Sequence, residues 1–256
     1  DGHLTAGITG QYKGMNAEIK PASNDIGKIR AHGGGGGVNL TWNGTRGEYV
    51  DLQGQYNKGS ATVGTTTLGD TMSGLSLDSK SASLEAGKRF VISADRKSVL
   101  VPQAQVTWSL MNSDPFTDKN GVTVDLGSYR NVVARAGLAY EFHLNGVNLA
   151  GPDKNGQMFY AIINVLQNLT PEHSSVAQNM TLNTRDEKTW GEIGLGGSYA
   201  LSSNTLLYGQ ATYRQSLQSL SNSNNHGVGG TVGLRWSFGN APKPLPPEPV
   251  KLIPVA

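Results

Sequence analysis

Successive side chains of a β-strand point to opposite faces, so a strand with an apolar phase on one side and water on the other carries a period of two. Residues 100–110 keep that period without a break. Leu100, Pro102, Ala104, Val106, Trp108 and Leu110 face one way, and Val101, Gln103, Gln105, Thr107 and Ser109 the other. The length matches the roughly 9–11 residues that a tilted strand needs to cross a bilayer. The same alternation recurs in Leu4–Tyr12, Val38–Trp42, Tyr49–Tyr56, Ser83–Phe90, Val132–Phe142, Trp190–Leu201 and Thr231–Phe238. Leu206–Gln215 reads as a further strand, and Met158–Leu166 as an apolar run whose two faces the pattern does not separate. The expected fold is all-β, an antiparallel up-and-down transmembrane β-barrel with about ten strands visible.

The connections between these strands alternate in length. Counted from the C-terminal end they run long (216–227), short (202–204), long (167–189), intermediate (143–157), long (111–127), short (91–98), long (57–80), short (43–47) and long (13–36). Short turns at one end and long loops at the other are the pattern of an outer-membrane barrel, and a soluble sandwich has no reason to segregate its loops this way. The alternation predicts external loops centred near residues 25, 70, 120, 178 and 222, and periplasmic turns near 45, 95 and 203. Gly33–Gly37 is read as part of a long polar connection, because a glycine run has little conformational preference of its own. Residues 57–80 are read as strand extensions around a long loop, and 167–189 as a loop with a short strand around Val176–Leu182.

Composition excludes several functions. There is no cysteine, hence no disulfide framework and no thiolate metal site. A net charge of +2 is too small to argue for nucleic acid. No run of 18 apolar residues marks a transmembrane helix, and a mean hydropathy of −0.34 is compatible with a barrel in which alternate residues meet lipid. The polar start at Asp1 has no signal peptide and already reads as strand, so the chain is expected to begin inside something larger or after processing. The five histidines, His3, His32, His143, His173 and His226, lie in loops or near strand ends without metal-ligand spacing. An outer-membrane protease would need a His/Asp cluster at the external rim, and neither His32 nor His173 has a matching acidic set in the sequence. The glycine run lacks the lysine and the strand-to-helix context of a phosphate loop. No catalytic residue, cofactor or metal is expected.

The faces opposite the apolar ones carry Asp51, Glu85, Arg89, Arg135, Glu141, Glu192 and Arg235. These would line a lumen, either solvating it and pairing across it or holding a helix or a passing polypeptide. The last strand reads polar-x-Gly-x-x-aromatic-x-aromatic through Thr231, Gly233, Trp236 and Phe238. This resembles the C-terminal signal by which the assembly machinery recognises outer-membrane barrels, with Gly233, Trp236 and Phe238 as its parts.

Taken together, residues 1–238 resemble the β-domain of monomeric (type V) autotransporters. The stretches that carry the resemblance are Ala6-Gly7-Ile8-Thr9-Gly10-Gln11-Tyr12, Gly47-Glu48-Tyr49-Val50-Asp51-Leu52-Gln53, Ser83 to Phe90 and Val101-Pro102-Gln103-Ala104-Gln105. Further along come Arg135-Ala136-Gly137-Leu138, Trp190 to Gly196, Leu207-Tyr208-Gly209 and Gly233 to Phe238. The resemblance implies a translocator barrel of the bacterial outer membrane that anchors and helps export an N-terminal passenger. Its partners would be the lipid bilayer, the barrel assembly machinery and its own passenger, with no nucleic acid and a monomeric state. An adhesive barrel acting through its loops and a small diffusion pore are the competing functions. The family barrel has twelve strands behind a pore helix, so either two strands and that helix are missing from residues 1–238 or this is a smaller relative. Residues 239–256 hold Pro242, Pro244, Pro246, Pro247, Pro249 and Pro254. Such a segment favours polyproline II and cannot enter a sheet centrally, so it is expected to hang in the periplasm.

Overall fold

The computed structural model describes residues 2–19, 26–119, 121–149, 157–177, 180–202, 204–217 and 225–236. Its first strands are β1 (Gly2–Ile19), β2 (Gly27–Gly44), β3 (Glu48–Thr65), β4 (Gly69–Lys88) and β5 (Phe90–Val91). Then follow β6 (Ser98–Ser113), β7 (Phe116–Thr117), β8 (Thr123–Asp125), β9 (Ser128–His143) and β10 (Met158–Asn168). The last are β11 (Glu172–Ala177), β12 (Met180–Arg185), β13 (Thr189–Ala200), β14 (Thr205–Ser216) and β15 (His226–Trp236). The main sheet runs β1-β2-β3-β4-β6-β9-β10-β13-β14-β15, with β5 added on β6, and its pairings are all antiparallel in chain order. It is an up-and-down sheet of ten strands curled into a half-barrel. The strand order ends at β1 on one side and β15 on the other.

Burial is the reverse of a soluble protein's. Ile193, Leu195, Val232 and Leu234 are 57%, 68%, 81% and 65% exposed, while Asn164 and Glu192 on the other face are 2% and 3% exposed. Alternation along each strand puts the first set on the convex face and the second on the concave face. Ala104, Val106 and Leu138 are exposed on the same convex face, and Leu100 and Val132 are half-exposed there. The run Met158–Leu166 resolves in the same way: Phe159, Ile163 and Val165 face out, and Ile162, Asn164 and Leu166 face in. Water cannot stabilise so large a continuous apolar surface, and a bilayer can.

Two sequence expectations are corrected. Gly33–Gly37 is no loop; it lies within β2, paired with Lys13–Thr9 on β1 and Gly59–Gln55 on β3. A Cβ on Gly33 would sit 2.6 Å from the Lys58 carbonyl oxygen, and one on Gly37 would sit 2.8 Å from the Gly54 carbonyl oxygen. At Gly33, Gly35 and Gly37, which share one face, the neighbouring strand occupies the side-chain space and only glycine fits. Residues 57–80 are likewise not a long loop: β3 and β4 continue to a turn at 66–68, with register shifts between Ala61 and Gly64.

As a result β1, β2 and β3 are 18 residues long and β4 is 20, longer than a bilayer crossing requires. Outward side chains change from apolar to polar at nearly the same level. On β4 the change falls between Ala82 and Lys80 and on β9, at the aligned positions, between Val132 and Arg130; on β3 it falls one pair further out, between Tyr56 and Lys58. The extensions beyond that line lie at the same end as β7, β8, β11 and β12. These four form a separate sheet in the order β12-β11-β8-β7, tied to β4 by Lys119 N–H donating to the Thr71 carbonyl (3.2 Å). The opposite end has the tight turns. Gly47 carries the positive φ (90°) expected of the hairpin after β2, and Val147 N–H donates to the Arg96 carbonyl (2.8 Å) across two of these turns. Val147 packs there with Val99, Val101, Ala139 and Ile162, so the concave face is apolar near this end and polar above it.

Candidate functional site

The concave wall is polar because each strand turns alternate side chains inward, and antiparallel register stacks them into cross-strand sets. Glu85 on β4 is the centre of one set. Tyr49 Oη donates to Glu85 Oε1 (2.7 Å) and lies 3.1 Å from Gln103 Oε1, and Arg135 Nη2 pairs with Glu85 Oε2 (2.5 Å). The Arg89 guanidinium lies 5.0 Å from the Tyr49 ring centroid and 3.6 Å from Glu141 Oε2, which is also 2.9 Å from His143 Nε2. A second set crosses the next strands. Asn164 Nδ2 donates to Glu192 Oε1 (2.7 Å), and Arg214 Nε donates to Glu192 Oε2. Asp51 accepts from Thr41 Oγ1 and from Gln53 Nε2 (2.6 Å). Carboxylates this far from water persist only with donors around them, and each of these has them.

Six of the seven charged positions read from the sequence are therefore on the concave face, gathered into networks. Arg235 lies in β15, but its side chain is outside the described residues. Gly233 and Trp236 also lie in β15, with Trp236 67% exposed, and Phe238 falls outside the described residues. Alternation already puts Tyr49 and Gln103 on the inward face without giving them a role. Asn164, in a run whose faces the pattern does not separate, and Arg214 are not expected there; cross-strand register with Glu192 is what brings those two in.

Aromatic rings lie on glycines of the neighbouring strand on this wall: Tyr49 on Gly87, Tyr160 on Gly196 and Tyr208 on Gly233. A Cβ on Gly87 would stand 2.5 Å from Tyr49 Cε1. The glycine leaves the room and the ring covers the exposed backbone. Gly233 thus has a packing role as well as its place in the terminal pattern.

At the loop end of the wall a cleft of about 570 Å³ opens between β9 and β15, lined by Tyr129, Asn131, Leu166, Glu187, Trp190 and Arg214 among others. His173, left without an acidic partner by the sequence, lies 3.1 Å from Asp186 Oδ2, which also accepts from Tyr129 Oη (2.6 Å). Burial and the Asp186 carboxylate push the Tyr129 hydroxyl well above its usual range. Among the described residues no group of three or more His, Asp or Glu is placed to hold a metal.

An apolar convex face, a charged and hydrogen-bonded concave face, and loops segregated to one end define an integral β-barrel of the bacterial outer membrane. Residues 1–212 match the family model described as the Autotransporter beta-domain, and the chain belongs to that family. It is 29% identical over 237 residues to the Adhesin BmaC autotransporter of Brucella suis biovar 1 (strain 1330), covering 91% of this chain and 7% of that protein. It is 26% identical over 220 residues to the autotransporter adhesin/invasin TibA of Escherichia coli O78:H11 (strain H10407 / ETEC), covering 83% of this chain and 20% of TibA. The chain thus spans only a small part of the length of these relatives. Among solved structures, the transport unit of the autotransporter AIDA-I from Escherichia coli matches with a TM-score of 0.70 at 21% identity, over 93% of this chain and 76% of that one. The β-domain of the Bordetella autotransporter Brka matches with a TM-score of 0.57 at 18% identity, over 92% of each chain. At these identities the two structures establish the fold.

Proposed function

We propose that this barrel anchors an N-terminal passenger in the outer membrane and helps export it to the cell surface. The observation that carries the reading is the pairing of a lipid-compatible convex face with a concave wall of paired charges, such as Glu85–Arg135 and Glu192–Arg214. A wall of that kind offers hydrogen-bonding partners to a polypeptide or helix passing along it without a fixed sequence requirement. Residues 1–238 form the barrel, the barrel assembly machinery inserts it, and it works as a monomer with no catalytic step of its own. Deleting residues 1–238 from the complete protein should abolish surface exposure of the passenger. A passenger that still reaches the surface would overturn the reading.

Closure belongs to the same proposal. The strand order ends at β1 and β15, and an open edge in lipid strands backbone N–H and C=O groups at several kcal/mol each. Two further strands ahead of β1 would satisfy both edges. The direct alternative pairs Ile8 with Gly233, and a disulfide between cysteines placed at those two positions would support it instead. Residues 239–256 are a periplasmic tail in this account. An adhesive role has its own support: two relatives carry adhesin in their names, and the β12-β11-β8-β7 sheet with the long hairpins gives the loop end a substantial folded surface. Removing β11 and β12 should then lower cell adhesion while leaving passenger export unchanged.

A further inference from the structure

Toward the loop end, the convex face finishes in a group of cations. Lys58, Lys80 and Arg130 are all exposed there, on β3, β4 and β9. Register brings them together. Lys80 and Arg130 stand in one row on either side of Leu110, and Lys58 lies diagonal to Lys80, opposite Asp78. Neighbouring strands lie about 4.8 Å apart, so Lys80 and Arg130 leave backbones about 10 Å apart. On the membrane side of the three come Tyr56, Ala82, Trp108 and Val132.

The protein does not neutralise these charges itself. Among the described residues none of the three has an ion-pair partner. Asp78, the carboxylate opposite Lys58, accepts from Asn112 Nδ2 (3.3 Å) instead. The turn end is built differently: Arg46 and Lys88 both pair there with Glu48, at 3.3 and 3.7 Å. The cations are also confined to one sector of the loop end. Outward positions there on β10, β13 and β14 are the uncharged Gln167, Thr189 and Gln215.

A row at this level meets lipid headgroups, because the apolar belt stops just below it on β4 and β9 and reaches Leu110 between them. Lysine and arginine at such a boundary lay their stems on apolar surface and carry their charge to the headgroups. A lysine meets a phosphate as a point charge, and an arginine meets it with two parallel donors. Three cations spread over two strand spacings are more than a single phosphate requires. We propose that Lys58, Lys80 and Arg130 bind the headgroup of a lipid carrying two or more phosphates, in the leaflet at the loop end. Its acyl chains lie against Ala82, Trp108 and Val132. Such a lipid ties β3, β4 and β9 together from outside, at the base of the long hairpins.

The test uses the full-length protein, taken from outer membranes in mild detergent, freed of lipid and immobilised. Radiolabelled diphosphoryl lipid A is the probe, competed with monophosphoryl lipid A and with inorganic pyrophosphate. Saturable retention is expected, with the diphosphoryl form bound about tenfold tighter than the monophosphoryl form. Changing Lys58, Lys80 and Arg130 together to glutamine should weaken binding about a hundredfold, roughly fivefold for each. Lys88→Gln, at the other end, should leave it unchanged. Equal binding of the two lipids, or of the wild type and the triple variant, overturns the site. A loss in Lys88→Gln as large as in Lys80→Gln overturns it too, since net charge alone would then be at work. Displacement by pyrophosphate at the concentration that suffices for the lipid would make this a free-anion site and overturns the lipid. If the triple variant loses heat-modifiable mobility, Lys58→Gln, Lys80→Gln and Arg130→Gln decide singly: wild-type affinity in all three overturns the proposal.

Discussion

At the scale of single residues, this protein distributes its side chains to satisfy two solvents. The Arg135 and Glu85 side chains are each 18% exposed and lie against each other, with Tyr49 completing the carboxylate's contacts. Removing one partner leaves a charge with little access to water, a loss of about 3–5 kcal/mol for a buried pair. Arg135→Ala should therefore lower the unfolding free energy of the barrel by an amount in that range, seen as a lower denaturant midpoint. The double change Glu85→Gln with Arg135→Met should recover most of it. Equal midpoints for the single and double variants would show that the charge itself is not what matters. The convex face is tested from the other direction. Val106 and Leu195 are 49% and 68% exposed, and an arginine at either, near the bilayer midplane, should cost about 2–4 kcal/mol. Unchanged stability of both variants in lipid would remove the membrane belt.

At the scale of elements, legibility followed the strength of local pattern. Residues 100–110 were legible from alternation alone, since the outward positions are apolar throughout and Val101 alone breaks the polar set opposite. Met158–Leu166 was not, because Ile162, packed with Ala139, and Leu166, on the wall of the loop-end cleft, are apolar yet face inward, which erases the contrast between faces. Gly33–Gly37 was misleading for a further reason. Glycine has no side chain to alternate, so a strand that needs glycine for close backbone approach reads like a loop. The concave networks were half-legible: strand parity gave Glu85, Arg89 and Glu141, but the cross-strand register that joins Arg89 to Tyr49 and Glu141 exists only in the folded sheet. His173 and Asp186, 13 positions apart, meet because β11 and β12 fold back on each other. At this scale the last strand makes its own prediction. Deleting residues 239–256 should leave heat-modifiable mobility intact, whereas replacing Trp236 and Phe238 together with polar residues should abolish it. A truncated chain that fails to fold would move the assembly signal from the aromatic strand to the tail.

At the scale of the whole molecule, orientation follows from the two unlike ends. Turns near Thr45, Asp95 and Asn204 occupy one end, and the 66–68 turn with the small sheet occupies the other. The chain has no cysteine, so a single introduced one reports its own position. Thr67→Cys should react with a membrane-impermeant maleimide in intact cells, and Asn204→Cys only after the outer membrane is opened. The opposite result would invert the topology. Asn222, in the loop expected outside, lies beyond the described residues. The central claim, that a barrel with this orientation delivers a passenger outward, is tested most directly by protease accessibility of the passenger on intact cells. The account predicts a passenger cleaved from outside when residues 1–238 are present and protected when they are deleted. Equal cleavage in both strains would contradict it.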